Sequence, residues 1–129
     1  MEDDYRYSVA YDDNVVRVWT TGSFDYLKGL QMWKEIIAIC EQQQCFDILV
    51  TSRVAKPLPA PDLFNSREFF DAVGLTAEYR LAVVNENEDV RESHKVAAAA
   101  LKTRRAAAPF SAAVFSNERD ARRWLSRRD

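Results

Sequence analysis

The segment FDILVTSRVAKPLPAPDLFN, residues 46–65, decides the fold because it joins a strand pattern to a helix pattern. Its apolar, β-branched first part predicts a buried strand over residues 46–51. Pro57, Pro59 and Pro61 then alternate with other residues, which predicts a stiff, extended connection. Such a connection is either a plain crossover to the next helix or a rim or lid beside the carboxyl end of the strand, where open α/β sheets bind ligands.

Similar patterns on both sides of this segment predict five strands and four helices in the order β-β-α-β-α-β-α-β-α. The expected strands are residues 5–11, 15–20, 46–51, 79–84 and 110–115. The expected helices are residues 24–44, 63–73, a segment from 87 to before Pro109, and a segment from 116 or 117 to 127. The short break at 12–14 predicts an antiparallel hairpin, and the later alternation of strands and helices predicts parallel pairing. The chain is therefore expected to be one α/β domain, residues 1–129, with a mixed sheet of about five strands flanked by four helices.

The composition is that of an ordinary globular domain, with 47% apolar residues, 29% charged residues and a formal net charge of -2. No run approaches the roughly 18 apolar residues that a membrane span requires. The start, MEDDYRYSV, has neither the basic nor the apolar part of a signal peptide. The sequence therefore predicts a cytoplasmic protein with no transmembrane segment.

Basic residues are concentrated in residues 101–129, where eight Lys or Arg stand against three acidic residues. A basic surface suits nucleic acid or anionic lipid head groups, but Lys and Arg near helix carboxyl ends also complement the helix dipole. Because no nucleic-acid-binding motif accompanies them, the second interpretation is favoured and no nucleic-acid partner is expected. Trp124, among these charges, is expected to seal the last helix onto the sheet, so that Trp124→Ala costs about 3–5 kcal/mol.

The sequence contains no recognisable catalytic or metal-binding pattern. It has one histidine, no glycine-rich phosphate loop, no H-E-x-x-H and no G-x-S-x-G. Cys40 and Cys45 fit neither a C-x-x-C motif nor a zinc site, so reduced packing residues are expected, with a redox-sensing pair as the alternative. His94 falls on the apolar face of the third helix, either as a partly buried histidine satisfied by a neighbour or as a ligand contact or proton-transfer group. The expectation is a protein that is not an enzyme, with no cofactor and no metal.

Two apolar features predict contacts beyond an ordinary core. In the first helix, Met32, Ile36 and Ile39 widen the apolar arc beyond the roughly 100° that covers one sheet face. A neighbouring helix, a second subunit or an apolar ligand are the candidates for covering these residues. Phe64 falls outside the apolar stripe of the second helix, just beyond the prolines, and is the best single candidate for contacting a ligand or a partner.

Five segments carry a resemblance to a known family: VVRVWTTGSF, FDILVTSR, PDLFNSREFFDAVGL, YRLAVV and AAVFSNERDARRWL, in this order. Together they resemble the SpoIIAA-like (STAS-type) family of small bacterial proteins over nearly the whole chain. The resemblance implies a small mixed sheet flanked by helices and built from successive βα units. It also implies a non-enzymatic role, as a protein-interaction switch or as a protein that binds apolar or lipid-like ligands.

Switch members of this family carry a phosphorylatable serine in an Asp-Ser-type motif just after the third strand. The corresponding region here, LVTSRVAKPLP, has Thr51 and Ser52 without that motif, so Ser52 is the candidate modification site in a chain that departs from the family pattern. The leading expectation is a non-catalytic STAS-like binding or regulatory module that contacts a protein partner or a second copy of itself, as a homodimer. The alternative is a carrier of a small apolar or lipid-like ligand.

Overall fold

A computed structural model describes residues 4–23, 25–53, 79–92, 95 and 111–127. The strands are β1 (Arg6–Asp12), β2 (Val15–Thr21), β3 (Asp47–Arg53), β4 (Arg80–Val84) and β5 (Ser111–Phe115). The helices within these residues are α1 (Tyr26–Gln43), α2, whose described part is 88–92, and α3 (Glu118–Ser126). The strands lie side by side in chain order; β1 is antiparallel to β2, and β2 to β5 are parallel. The predicted mixed α/β sheet of five strands is confirmed.

The first two strands form a tight hairpin. Asp13 and Asn14 have φ angles of 54° and 63°, which is the left-handed conformation that two-residue hairpin turns need at both positions. β1 and β2 then pair without interruption from Asp12 opposite Val15 to Arg6 opposite Thr21. The hairpin therefore has no bulge, and β1 is straight enough to keep one regular outer edge.

One face of the sheet, the α1 face, is covered by α1. Asp25 caps this helix by accepting a hydrogen bond from the Lys28 backbone N–H at 3.0 Å, and Gln44 ends it with a φ of 52°. Its buried residues recur at helical spacing: Met32, Trp33, Ile36 and Cys40. They pack against the buried strand residues Val16, Val18, Ile48, Val50, Leu81 and Val83. Of the two cores that the described residues form, the larger lies on this face.

The opposite face, the α3 face, is covered by α3. Asn117 caps this helix by accepting a hydrogen bond from the Asp120 backbone N–H at 2.9 Å, as one of the two predicted caps. Ala121 and Leu125 are its buried residues, and they pack with Val15, Leu49, Ala82 and Val84 of the sheet. Among the described residues this second core is smaller, and α3 contributes two buried side chains to it.

Two predictions, one about the helix expected over residues 63–73 and one about Trp124, have different outcomes. The helix expected over 63–73 lies outside the described residues, so the four-helix arrangement stays a prediction. Trp124 is not the residue that seals α3, because its side chain is only half-buried at the rim of the second core. Its ring contacts Phe115, with ring centroids 5.9 Å apart, and lies under the Arg80 guanidinium. Leu125, one position further, takes the sealing position instead.

Both cysteines are free, as expected for packing residues. Cys40 is buried in α1 and Cys45 is half-buried after it. Burial raises the pKa of the Cys40 thiol to about 12. Because the thiolate is the reactive form, Cys40 is chemically inert at neutral pH.

Candidate functional site

Strand β1 is one of the two edge strands of the described sheet. β1 is the first strand in the sheet order, so its neighbour within the described residues is β2, on one side only. Its burial alternates along the first half and ends in exposed residues. The outward N–H and C=O groups of such a strand form a template for another strand.

Natural proteins usually protect a sheet edge with charged side chains, Pro, a bulge or a very short strand. β1 has no Pro and no bulge, it carries charges only at its two ends, Arg6 and Asp12, and it pairs with β2 over its full length. The other edge strand, β5, is shorter and mostly half-buried. Of the two edges, β1 is therefore the longer and more exposed strand.

Helix α1 holds β1 rigidly in place. The Tyr7 hydroxyl donates a hydrogen bond to the Glu35 carboxylate, and this bond raises the pKa of Tyr7 to about 12. Lys28 donates from Nζ to the Tyr5 carbonyl at 3.4 Å. The Tyr5 ring is buried, and its burial raises the pKa of its hydroxyl to about 12. A strand fixed in this way loses little conformational entropy when it binds a partner.

A second group of polar residues lies at the carboxyl ends of the parallel strands. Thr20 of β2, Ser52 of β3 and Asn85, directly after β4, are all buried. Thr20 is paired with Ser52 in the strand register, and its hydroxyl is hydrogen-bonded to Tyr5. This is the end of the sheet where open α/β folds place ligand-binding residues. Here the three side chains lie on the α1 face of the sheet and are buried in the interior of the protein.

Asn85 connects the end of β3 to the start of α2. Its Nδ2 donates to the Ser52 hydroxyl at 3.1 Å, and its Oδ1 accepts from the Asn87 backbone N–H at 2.7 Å. Asn87 in turn caps α2 by accepting from the Val90 N–H at 3.1 Å. Arg91 donates to the Asn85 carbonyl at 2.9 Å. Ser52 is thus part of a structural link, and its side chain is only 6% exposed, so a modifying enzyme reaches it only if the strand end opens.

A cavity of about 610 Å³ lies at the opposite, amino-terminal end of the parallel strands. Its lining mixes charged and apolar side chains, including Asp13, Arg122, Phe46 and Leu125. Cys45 also faces it, with Sγ 3.2 Å from the Asn14 carbonyl oxygen. A cavity for a lipid-like ligand is lined mainly by apolar side chains, so this one does not have the character expected of a carrier.

Three of the site residues expected from the sequence, Met32, Ile36 and Ile39, lie together in the core of the α1 face. Met32 and Ile36 are core residues of the α1 face, 3% and 0% exposed, because α1 turns this part of its arc toward the sheet. They correspond to the intramolecular alternative and form no exposed patch on the subunit. Ile39 is half-buried beside the same core. Phe64 and His94 lie outside the described residues, so their contacts with a ligand or a partner stay predictions.

The β1 edge was not among the sites predicted from the sequence, because the strand that lies at an edge depends on the spatial order of all five strands. The predicted hairpin and the parallel strands after it allow the third strand to pair with either strand of the hairpin. The local clue in the sequence is the absence of Pro and Lys from RYSVAYD. The sequence pattern predicted the pairing of β1 with β2, but the backbone N–H and C=O groups on the other side of β1 were not considered.

Comparison with known proteins adds no family to this description. No family model matches the chain, and no curated protein gives a significant match. Within the described segments, no helix has the length and apolar character needed to cross a bilayer. Function is therefore inferred from the geometry of the surfaces above.

Proposed function

We propose that this chain is a non-catalytic, STAS-like binding or regulatory module that acts through protein–protein contact at the open edge of β1. The observation that carries the proposal is a rigid, seven-residue strand with no bulge and a described neighbour on one side only. Strand addition at such an edge supplies affinity through main-chain hydrogen bonds and specificity through alternate side chains. The proposal includes a STAS-type fold with four helices, the second of them over residues 63–73.

The packing of the described core supports an interaction module over a ligand carrier. Buried side chains fill both faces of the sheet, with Ile36, Ile48 and Leu49 all at 0% exposure. A carrier needs an apolar interior space that holds its ligand, whereas an interaction module needs a filled core and an exposed contact surface. The described residues have the second combination, with the contact surface at β1.

Two measurements on freshly purified protein test this proposal. In native mass spectrometry we expect protein complexes or single chains at the mass of the polypeptide, without a small-molecule adduct. A monomer that carries extra mass, released on denaturation, would contradict the proposal and favour the carrier. In hydrogen exchange on dilute monomer, we expect the β1 amides that face away from β2 to exchange rapidly, because an open edge leaves them to water. Protection of these amides in the monomer would show that the chain covers its own edge, and the proposal would be wrong.

A further inference from the structure

The sequence of β1 is complementary to its own reverse. Read against itself in the antiparallel direction about Val9, the strand RYSVAYD places Arg6 opposite Asp12 and Tyr7 opposite Tyr11. We propose that the partner at this edge is a second copy of the chain, added antiparallel with Val9 opposite Val9, so that two five-stranded sheets join into one. This inference rests on the proposed function, because it names the partner of the same edge.

Charge complementarity is the main argument for this pairing. Arg6 and Asp12 are the exposed first and last residues of β1, and within the described residues neither has an ion-pair partner. Positions that are an even number apart in a strand lie on the same face, so the two side chains meet across the new interface. The symmetry axis makes this contact twice, once at each end of the paired strands.

The aromatic residues of β1 meet on the other face. Tyr7 and Tyr11 are directly opposite each other in this register, and cross-strand aromatic pairs stabilise antiparallel sheets. Tyr11 is one of the large apolar side chains that the subunit leaves exposed, at 39%. A second copy would cover it, because the Tyr7 ring of that copy would lie beside it.

Neighbouring registers are less favourable than the one centred on Val9. A continuous sheet allows shifts by two residues only, since an odd shift would turn the side chains to the wrong faces. A shift in one direction places Asp4 opposite Asp12, and like charges directly opposite each other are destabilising. A shift in the other direction places Arg6 opposite Asn14, which lies in the left-handed turn beyond the strand. The Val9-centred register is the one that pairs all seven residues of β1.

The decisive experiment is sedimentation velocity across a series from micromolar to millimolar protein. We expect a monomer–dimer equilibrium, since one strand pair buries less surface than an obligate interface. Arg6→Asp replaces two attractive pairs by two repulsive ones and should raise the dimer dissociation constant by at least about tenfold. Asp12→Arg should do the same, while the double variant Arg6→Asp with Asp12→Arg should restore dimerisation. This recovery separates a specific pairing from a loss of folding.

Arg119→Asp is the matched control, since it makes the same charge change at an exposed position of α3, away from β1. It should leave the dissociation constant unchanged. A chain that stays monomeric at every concentration, or a dimer that is insensitive to Arg6→Asp, would overturn the inference. Hydrogen exchange then separates the two failures. Outward β1 amides that exchange rapidly in a permanent monomer leave the edge open to another protein, whereas amides protected in that monomer overturn the proposed function as well.

Discussion

The two faces of the sheet are covered by helices of different chemistry. On the α1 face, α1 buries a continuous apolar stripe that includes Met32, Ile36 and Cys40. On the α3 face, α3 buries Ala121 and Leu125, and arginine side chains of the sheet strands make further contacts with it. Among the described contacts, those of α1 with the sheet are mainly apolar, whereas those of α3 combine apolar burial with ion pairs and hydrogen bonds.

The contacts on the α3 face clamp both ends of the helix. At its start, Arg17 of β2 makes an ion pair with Glu118 at 2.6 Å. At its end, Arg80 of β4 donates hydrogen bonds to the carbonyls of Trp124, Leu125 and Arg127 at 2.9, 2.9 and 2.7 Å. The Trp124 carbonyl also accepts from the Arg127 backbone N–H at 3.2 Å, and the positive charge of Arg80 complements the negative end of the helix dipole. The difference between the two faces predicts that truncation of a core side chain lowers the free energy of unfolding most on the α1 face. Loss of a charge should lower it only on the α3 face.

Ile36→Ala should have the largest effect, because it leaves a cavity in the fully packed core of the α1 face. Ile36 is 0% exposed, and truncation of such a residue costs about 2–5 kcal/mol in the free energy of unfolding. Urea denaturation followed by circular dichroism measures this loss. Leu27→Ala is the matched control in the same helix, since Leu27 is 74% exposed and its truncation should cost less than about 0.5 kcal/mol. Equal effects of the two changes would show that α1 is not docked as described.

Removing the Trp124 ring should have an intermediate effect, smaller than the sequence alone suggested. Trp124→Ala should cost about 1–3 kcal/mol, because a half-buried ring leaves little cavity but loses its contacts with Phe115 and Arg80. The Arg80 Cζ atom lies 4.3 Å from the centre of this ring. Arg80→Ala should therefore cost a similar amount, from the loss of both the stacking and the hydrogen bonds to the helix end.

A double-mutant cycle between Arg80 and Trp124 separates these contributions. We expect a coupling free energy of about 0.5–2 kcal/mol, since the two side chains are in direct contact. Arg80→Lys should recover only part of the stability, because an ammonium group lacks the planar fork that reaches several carbonyls at once. A coupling near zero would mean that Trp124 and Arg80 stabilise α3 independently.

Local sequence patterns predicted the strands and their pairing well, because β-branched runs and the Asp13-Asn14 turn act over a few residues. They did not show which side of α1 packs against the sheet. Met32 and Ile36 were therefore candidates for an interface, whereas the structure places them in the core. The contacts of Arg80 with α3 could not be predicted from the sequence either. They join residues more than 40 positions apart and depend on where α3 crosses β4. The open edge of β1 is likewise a property of the whole sheet.

The smallest expected effect is a pH dependence at the start of α3. A hydrogen bond from Arg122, together with the nearby charge of Arg17, holds the pKa of the Glu118 carboxyl below its ordinary value, although desolvation opposes this. A carboxyl whose pKa is lower in the folded state stabilises the protein above the unfolded-state pKa, about 4.3 for Glu, and loses that contribution as the pH falls further. Glu118→Gln should therefore lower the melting temperature slightly at neutral pH, and this difference from the wild type should shrink as the pH falls below the unfolded-state pKa.

The control for this measurement is Glu41→Gln, which removes an exposed carboxylate from α1, on the opposite face of the sheet from α3. Its effect on the melting temperature should not follow the same pH profile. If Glu118→Gln changed nothing at neutral pH, Glu118 would be an ordinary surface ion-pair residue of negligible energy, and apolar packing with the Arg80 contacts would hold α3 alone. If the difference between Glu118→Gln and the wild type disappeared as the pH fell, the charged clamp would be established as the feature that distinguishes the α3 face from the α1 face.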